Sequence, residues 1–161
     1  MSIRFTALPT AAVRAAQSGA PDAYGLAPEP RISDGDGVPC RHCLRSLPEG
    51  VPYLVLAWRP FETLQPYAET GPIFLCAEPC ARAEPRACVA DGSVRPEILD
   101  SPSYLVRGYD AAERIAYGSG GVVPTDAIPA RAAELLARPE IAFLHVRSAA
   151  NNCFQVRIER G

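Results

Sequence analysis

Four cysteines stand in two close pairs that lie far apart in the sequence. Cys40 and Cys43 are separated by two residues in VPCRHC, and Cys76 and Cys80 by three residues in FLCAEPC. Zinc takes four soft ligands in a tetrahedron, and structural sites commonly receive them as two such pairs. The pattern therefore predicts a zinc site formed by these four cysteines. Because four cysteine ligands leave no open coordination position, we expect a structural ion and not a catalytic one.

Other interpretations of the cysteines stay open. The three-residue spacing departs from the commoner pattern, so His42 or Cys88 is an alternative ligand in place of Cys76 or Cys80. A thioredoxin-like redox pair should open a helix in a βαβ unit, whereas prolines flank the first cysteine pair. A disulfide scaffold needs an oxidising compartment. We expect no signal peptide, because proline and arginine interrupt the apolar N-terminal stretch. The remaining alternative is a set of separately buried thiols.

The C-terminal segment IAFLHVRSAANNCFQVRIERG carries a second group of reactive side chains. Strand alternation and an odd-length loop at residues 150–152 predict a hairpin with two distinct faces. One face takes Leu144, Val146, Phe154, Val156 and Ile158, and the other takes His145, Arg147, Cys153, Gln155 and Arg157. In this register Cys153 lies about 13 Å along the strand from His145. A direct Cys–His dyad is therefore not expected.

The arginines of this hairpin favour binding of an anion. Arg147 is diagonal to Cys153, where its charge would lower the pKa of the thiol. With Arg107 and Arg157, it is a candidate to bind a carboxylate or phosphate on a small ligand or a protein partner. The alternatives are a solvated arginine face and a Cys153 that is simply a small buried residue.

The elements that must position these residues form an alternating pattern of strands and short helices. In chain order we predict a strand over 2–8, a helix over 11–18, strands over 53–58 and 73–76, a helix from Pro79, a hairpin over 104–109 and 114–118, a helix capped by Asp126, and strands over 141–147 and 153–159. The apolar face of the last helix is Ile128, Ala132, Leu135 and Leu136.

This pattern predicts a single α+β domain over residues 1–161. We expect a hairpin module similar to a zinc ribbon or treble clef over residues 38–83. It would pack with a β-hairpin–helix–β-hairpin unit over residues 103–160.

Composition excludes several classes of function. The chain has 161 residues, is 48% hydrophobic and carries a net charge of −2, which indicates a globular protein and not one that binds nucleic acid through its overall charge. All 16 basic residues are arginines, so mechanisms that need a catalytic or phosphate-binding lysine are excluded. No apolar run approaches the length of a membrane span. We expect a cytoplasmic protein that does not enter membranes.

Several longer strings resemble one family. They are RFTALPTAAVRA, DGVPCRHCL, PYLVLAWRPF, YAETGPIFLCAEPC, YLVRGYD and HVRSAANNCFQVRIER. Together they are similar to a bacterial family defined as domain of unknown function 1203, over nearly the whole chain from Ile3 to Arg160. The resemblance implies a single-domain bacterial protein of this length, and it implies no particular activity.

Three hypotheses on function follow. The first is a small zinc-binding protein with a structural ion, whose residues Arg107, Arg147 and Arg157 meet an anionic small molecule or a protein partner. The second is a thiol-dependent enzyme that uses Cys153, assisted by Arg147 or His42. The third is a redox-responsive zinc switch, in which oxidation of the cysteine pairs releases the metal.

Overall fold

The computed structural model describes residues 2–85 and 95–161, together with the backbone of residues 87 and 88. Within this part of the chain the fold is mixed and mostly β, with two short α-helices, so the α+β class is confirmed. The elements are β1 (Ile3–Thr6), α1 (Thr10–Gln17), β2 (Glu29–Ile32), β3 (Pro52–Trp58), β4 (Gly71–Cys76), β5 (Ala87–Cys88), β6 (Ser103–Tyr109), β7 (Gly121–Pro124), a 3₁₀ turn (Thr125–Ala127), α2 (Ile128–Leu136), β8 (Phe143–Ser148) and β9 (Phe154–Arg160).

The larger sheet has six strands in the order β5-β1-β9-β8-β6-β7. Its apolar positions alternate along the strands and pack against one face of α2, as the period of that helix predicts. The predicted apolar face of α2 is buried throughout, comprising Ile128, Ala132, Leu135 and Leu136. This sheet and helix enclose the first hydrophobic core.

The smaller sheet has three antiparallel strands in the order β2-β3-β4. The turn that carries Cys40 and Cys43 docks on the free edge of β4, where Cys40 bridges to Phe74 and the Arg41 amide donates to the Phe74 carbonyl at 3.1 Å. The Leu8 amide in turn donates to the Arg41 carbonyl at 3.1 Å. This turn therefore covers one edge of the small sheet and ties it to the N-terminal segment.

A second core lies between the small sheet, helix α1 and the cysteine-bearing turn. Val13, Val38 and Ile73 pack there with the buried Cys40 and with Phe154 of β9. Phe154 belongs to the large sheet, so this core joins the two sheets through one aromatic side chain.

The predicted partner strand of β6 at residues 114–118 is wrong. The structure places β7 at Gly121–Pro124 instead, and Ile115 makes only an isolated bridge to Tyr109. The Asp110 carboxylate accepts hydrogen bonds from the amides of Ala112 and Arg114, both at 2.9 Å. These bonds hold a turn where a paired strand was expected, and pairing resumes only at Gly121.

Two helix predictions are also wrong. Residues 77–85 form no helix, so Pro79 opens none and Cys80 is not in a first helical turn. Asp126 does not cap α2: it lies in the preceding 3₁₀ turn, and its carboxylate pairs with Arg95. Ala127 stands at the N-cap position and makes no side-chain capping bond.

The C-terminal hairpin contains an irregularity that the alternation does not show. Leu144 pairs with Ile158 and Val146 with Val156 as predicted, but the register then shifts so that Arg147 pairs with Phe154. A one-residue shift exchanges the faces of a strand. Phe154 therefore lies against His145, at 4.9 Å between ring centroids, and its predicted place beside Val156 is wrong.

In the described residues, no helix is long and apolar enough to cross a membrane.

Candidate metal centre and arginine cluster

The first cysteine pair lies on a tight turn closed by backbone hydrogen bonds. The Leu44 amide donates to the Cys40 carbonyl at 2.9 Å, and the Cys40 amide donates to the Arg45 carbonyl at 3.0 Å. Leu44 adopts a left-handed conformation with φ 55°, which is uncommon for a branched side chain and brings the chain back on itself. The turn places both sulfurs near those of the second pair.

The second pair is held from helix α1. Cys76 is the last residue of β4, and Cys80 follows in an extended segment. Gln17 donates to the carbonyls of Cys76 and Glu78, both at 2.9 Å, and Arg14 donates to the Cys80 carbonyl at 2.7 Å. The polar face of α1 thus holds the backbone around Cys80 in place. The helix predicted from Pro79 was expected to do this.

The four sulfurs converge. The Sγ atoms of Cys40, Cys43, Cys76 and Cys80 all lie within 4.8 Å of one another. Cys40 and Cys80 are 4.0 Å apart at Sγ, and Cys43 and Cys76 are 3.9 Å apart. Tetrahedral zinc with Zn–S bonds of about 2.3 Å requires sulfurs about 3.8 Å apart. The quartet is therefore able to hold a metal ion of this size.

The pKa values of the four cysteine thiols are shifted, mainly because their sulfurs lie close together. The pKa of Cys40 is lowered, chiefly because the thiols of Cys43 and Cys76 donate to it. The same hydrogen bond raises the pKa of Cys43 to about 12, and donation to both neighbours raises the pKa of Cys76. Burial raises the pKa of Cys80. Four sulfurs this close do not all ionise without a cation between them, and a divalent ion supplies that charge.

His42 contacts the quartet without joining it. Its side chain is fully buried, with Nδ1 3.1 Å from the Cys80 Sγ and Nε2 2.9 Å from the Thr10 hydroxyl. A ring N–H that donates to a thiolate, with its other nitrogen held by a hydroxyl, orients a ligand in the manner of outer-shell partners of metal sites. The side chain of Cys88, the other alternative ligand, lies outside the described residues.

Two further groups stabilise negative charge on Cys40. The Cys76 amide lies 3.3 Å from the Cys40 Sγ. Arg41 is buried within the cysteine turn, and burial lowers the pKa of its guanidinium to about 10 while the Cys40 thiolate opposes that decrease. Buried charges are normally paired, so a cysteine quartet with net negative charge is a suitable neighbour for this arginine.

Within the described residues, the quartet borders a cleft. Cys43, Cys76 and Cys80 line a cleft of about 930 Å³, with Arg45 and Arg82 at its walls. Cys40 is completely buried. Three of the four sulfur-bearing residues are thus accessible from the cleft.

The predicted arginine face forms a row across the large sheet. Arg107 pairs with His145 and His145 pairs with Arg157 on three adjacent strands. Arg107 and Arg147 converge on one carboxylate oxygen, Glu69 Oε2, at 2.6 and 3.0 Å. Glu69 belongs to the loop between β3 and β4, and no sequence pattern predicts that this loop lies beside the two arginines.

Arg157 is directed elsewhere. Its Nε donates to Glu159 at 2.9 Å, and its guanidinium carbon lies 3.7 Å from the Phe143 ring centroid. Of the three candidate ligand-binding arginines, the structure brings Arg107 and Arg147 together on Glu69 and pairs Arg157 with Glu159, a carboxylate that it shares with Arg4.

His145 lies in an aromatic cage. The rings of Phe61, Tyr109, Phe143 and Phe154 have centroids 4.7–5.3 Å from that of His145. Neither ring nitrogen has a hydrogen-bond partner in the described part of the chain, so His145 makes no dyad with Cys153.

Burial lowers the pKa of His145 well below its usual range, and the charges of Arg147, Arg157 and Arg107 lower it further.

Cys153 lies in a second cavity, between the two sheets. This cavity has a volume of about 400 Å³. Its lining comprises Trp58, Pro60, Glu69, Thr70, Gly71, Pro72, Arg147, Asn151, Asn152, Cys153 and Phe154. Cys153 thus lines the same cavity as Arg147 and makes no contact with a His145 nitrogen.

The fold and the cysteine quartet define a small α+β protein with a candidate metal centre. The family described as protein of unknown function DUF1203 matches residues 37–160. The chain belongs to this family, as the sequence resemblance predicted. No curated protein and no solved structure matches the chain significantly.

The contact between His42 and Cys80 predicts that His42 orients the Cys80 sulfur toward the metal. Replacement of zinc by cobalt(II) allows this role to be measured. We expect His42→Ala to weaken zinc affinity by about 10- to 100-fold, as loss of an outer-shell partner does. The sulfur-to-metal charge-transfer bands of the cobalt(II) form should keep their intensity, because all four sulfurs remain. Thr10→Val should cause a smaller loss of affinity, since it removes only the partner of His42. Wild-type bands no stronger than those of Cys80→Ser would instead make His42 a ligand in place of Cys80.

The buried, neutral His145 predicts a loss of stability in acid. In the unfolded chain this imidazole takes up a proton as pH falls below about 6.5, whereas in the fold it stays neutral to much lower pH. The unfolded state then binds more protons, so the free energy of unfolding falls by up to about 1.4 kcal/mol per pH unit below 6.5. Urea unfolding of wild type and His145→Phe from pH 7 to 5 measures this difference. Parallel pH profiles for the two proteins would contradict it.

Proposed function

We propose that this protein binds zinc through Cys40, Cys43, Cys76 and Cys80 as a structural ion, and that it binds an anionic small molecule in the cavity beside Arg147. The observation that carries the zinc assignment is the convergence of four sulfurs within 4.8 Å. Four thiolates complete the tetrahedral shell that zinc prefers, which leaves no position for a substrate. Because the proposed ligands are free thiols, we place the protein in the reducing cytoplasm.

For the hairpin module, the positions of the cysteines favour a zinc ribbon. One cysteine pair lies on a turn beside the edge of β4 and the other begins at the end of that same strand. A treble clef would need Cys80 at the start of a helix, and residues 77–85 form none. We therefore favour the ribbon over the treble clef.

Beside the cavity there are two arginine charges and one carboxylate charge, and this imbalance supports the anion site. Arg107 and Arg147 share one carboxylate oxygen of Glu69, and their side chains are only 15% and 5% exposed. Two weakly solvated cations on one anion leave a surplus positive charge, and the Nε of Arg147 has no hydrogen-bond partner within the described residues. A carboxylate or phosphate in the cavity would balance this surplus charge through charge-assisted hydrogen bonds.

The size of the cavity favours a small molecule over a protein partner. A volume of about 400 Å³ lies at the lower end of the range for small-molecule sites. The apolar walls from Trp58 and Phe154 would cover the body of such a ligand while Arg147 binds its charged group.

One alternative has an observation in its favour. Cys43 and Cys80 are partly exposed and line a cleft, which favours access of an oxidant to them, as a redox-responsive zinc switch requires. Zinc release by mild peroxide that is reversed by reductant would favour this alternative.

The zinc proposal predicts one zinc ion per chain in untagged protein, measured by elemental analysis. Cys43→Ser should lose the ion and lower the melting temperature, because the turn and β4 are then no longer joined through metal. Cys153→Ser is the matched control and should keep one zinc. A metal-free wild-type protein with six titratable thiols would overturn the proposal.

The anion proposal predicts stabilisation by inorganic phosphate or succinate. A ligand at about 100-fold excess over its dissociation constant adds about 2.7 kcal/mol, which raises the melting temperature by about 5–10 °C in a chain of this size. Arg147→Gln should abolish the increase, and Arg138→Gln, at an exposed arginine, should preserve it. Sodium chloride at equal ionic strength controls for general salt effects. Equal shifts in both variants would show that the anions act elsewhere.

A further inference from the structure

Cys153 presents a thiol to the same cavity that holds the proposed anion site. It is free, partly buried and outside the metal quartet. The Cys153 amide donates to the Ser148 hydroxyl at 3.0 Å, and its Sγ lies 3.7 Å from the Asn151 carbonyl. The thiol is therefore carried on a turn whose backbone is fixed.

Arg147 is tied directly to this turn. Its Nη1 donates to the carbonyl of Asn152, the residue before Cys153, at 2.8 Å. Arg147 is 4% exposed as a residue, yet its Nε has no acceptor in the described part of the chain. Arg147 and Cys153 thus line one cavity. The hydrogen bond from Arg147 to the Asn152 carbonyl fixes the position of the guanidinium relative to the turn that carries the thiol.

The rest of the lining adds a second buried donor without an acceptor. The indole Nε1 of Trp58 is buried and also lacks a partner among the described residues. Buried donors without acceptors are costly, and two such donors belong to residues that line this cavity. The walls between them are apolar, from Pro60, Pro72 and Phe154, and suit a short aliphatic chain.

We infer that Cys153 is a modification site, at which small disulfides that carry a carboxylate form a mixed disulfide with the protein. The inference rests on the proposed anion site, since Arg147 binds the carboxylate of the incoming disulfide. The Cys153 thiol loses its proton to solvent, and its sulfur attacks one sulfur of the disulfide. A new S–S bond forms, the old one breaks, and the other half leaves as a thiolate that takes up a proton. The disulfide is the oxidant, so no further reactant is needed.

Three disulfides with the same two-methylene arm and different charge test this inference. They are the disulfides of 3-mercaptopropionate, 2-mercaptoethanol and cysteamine, which are anionic, neutral and cationic. Zinc-loaded protein is incubated with each, and modification of Cys153 is followed by intact mass and peptide mapping. Each rate is divided by that of the same disulfide with N-acetylcysteine amide, which removes differences in intrinsic reactivity. Cys153→Ser shows which mass increase belongs to this residue.

We expect the anionic disulfide to react with Cys153 about tenfold faster than the neutral one, which is the effect of a single charge-assisted hydrogen bond. The cationic disulfide should be the slowest. Arg147→Gln should remove the preference while leaving the neutral reaction in place. If that variant does not fold, Glu69→Gln tests the same point, because removal of the internal carboxylate should increase the preference for the anion.

Equal relative rates for the three disulfides, or an unreactive Cys153, would overturn the inference. The melting temperature in phosphate and succinate separates this failure from failure of the anion site. Stabilisation by anions together with an unreactive Cys153 would leave the anion site in place and remove the modification site. Absence of both effects would remove both proposals.

Discussion

The close approach of four cysteine sulfurs constrains much of the surrounding structure. They come from a turn and from the end of β4, 33 residues apart at Cys43 and Cys76, and they meet where the small sheet contacts helix α1. Without a cation, the group accommodates its charge by sharing protons, as the opposite pKa shifts of Cys40 and Cys76 indicate. A divalent ion bound there would replace those shared protons and would close the loop between the two segments. The side chains that hold the surrounding backbone, Gln17 and Arg14, then act on a single cross-linked unit.

A chain without lysine places its buried positive charge on arginines, and this shapes both sites. A guanidinium has several donors in one plane and is able to bond carbonyls and carboxylates at once. Arg41 uses this property inside the cysteine turn, where it donates to the carbonyls of Pro39 and Phe154. Arg147 uses it between the sheets, where it joins Glu69 to the carbonyl of Asn152. Each arginine is a structural link that also provides a positive charge beside a group of potential ligands.

The features that could be predicted from the sequence are those that depend on local period or on residue type. The apolar stripe of α2, strands such as β3 and β8, and the pairing of the cysteines belong to this class. The features that were wrong or missed depend on contacts between distant residues. The shift after Val146 is invisible to alternation because both registers bury apolar side chains. The role of Glu69 is also absent from the pattern, since its loop reaches Arg107 and Arg147 only through the tertiary fold. The helix predicted at Pro79 fails for a related reason: Gln17 and Arg14 bond the carbonyls of this segment from another element.

The two sites are connected through one strand and one arginine. Strand β4 begins at Gly71 beside the cavity and ends at Cys76 in the quartet, a span of about 17 Å at the usual rise per residue. Arg41, within the cysteine turn, donates to the carbonyl of Phe154, whose ring lines the cavity next to Cys153. A metal ion that fixes the cysteine turn therefore also fixes the wall of the cavity. On this basis the proposed structural zinc ion would have a functional consequence without touching a ligand, because it would hold Arg41, Phe154 and the thiol-bearing turn in a constant arrangement with Arg147.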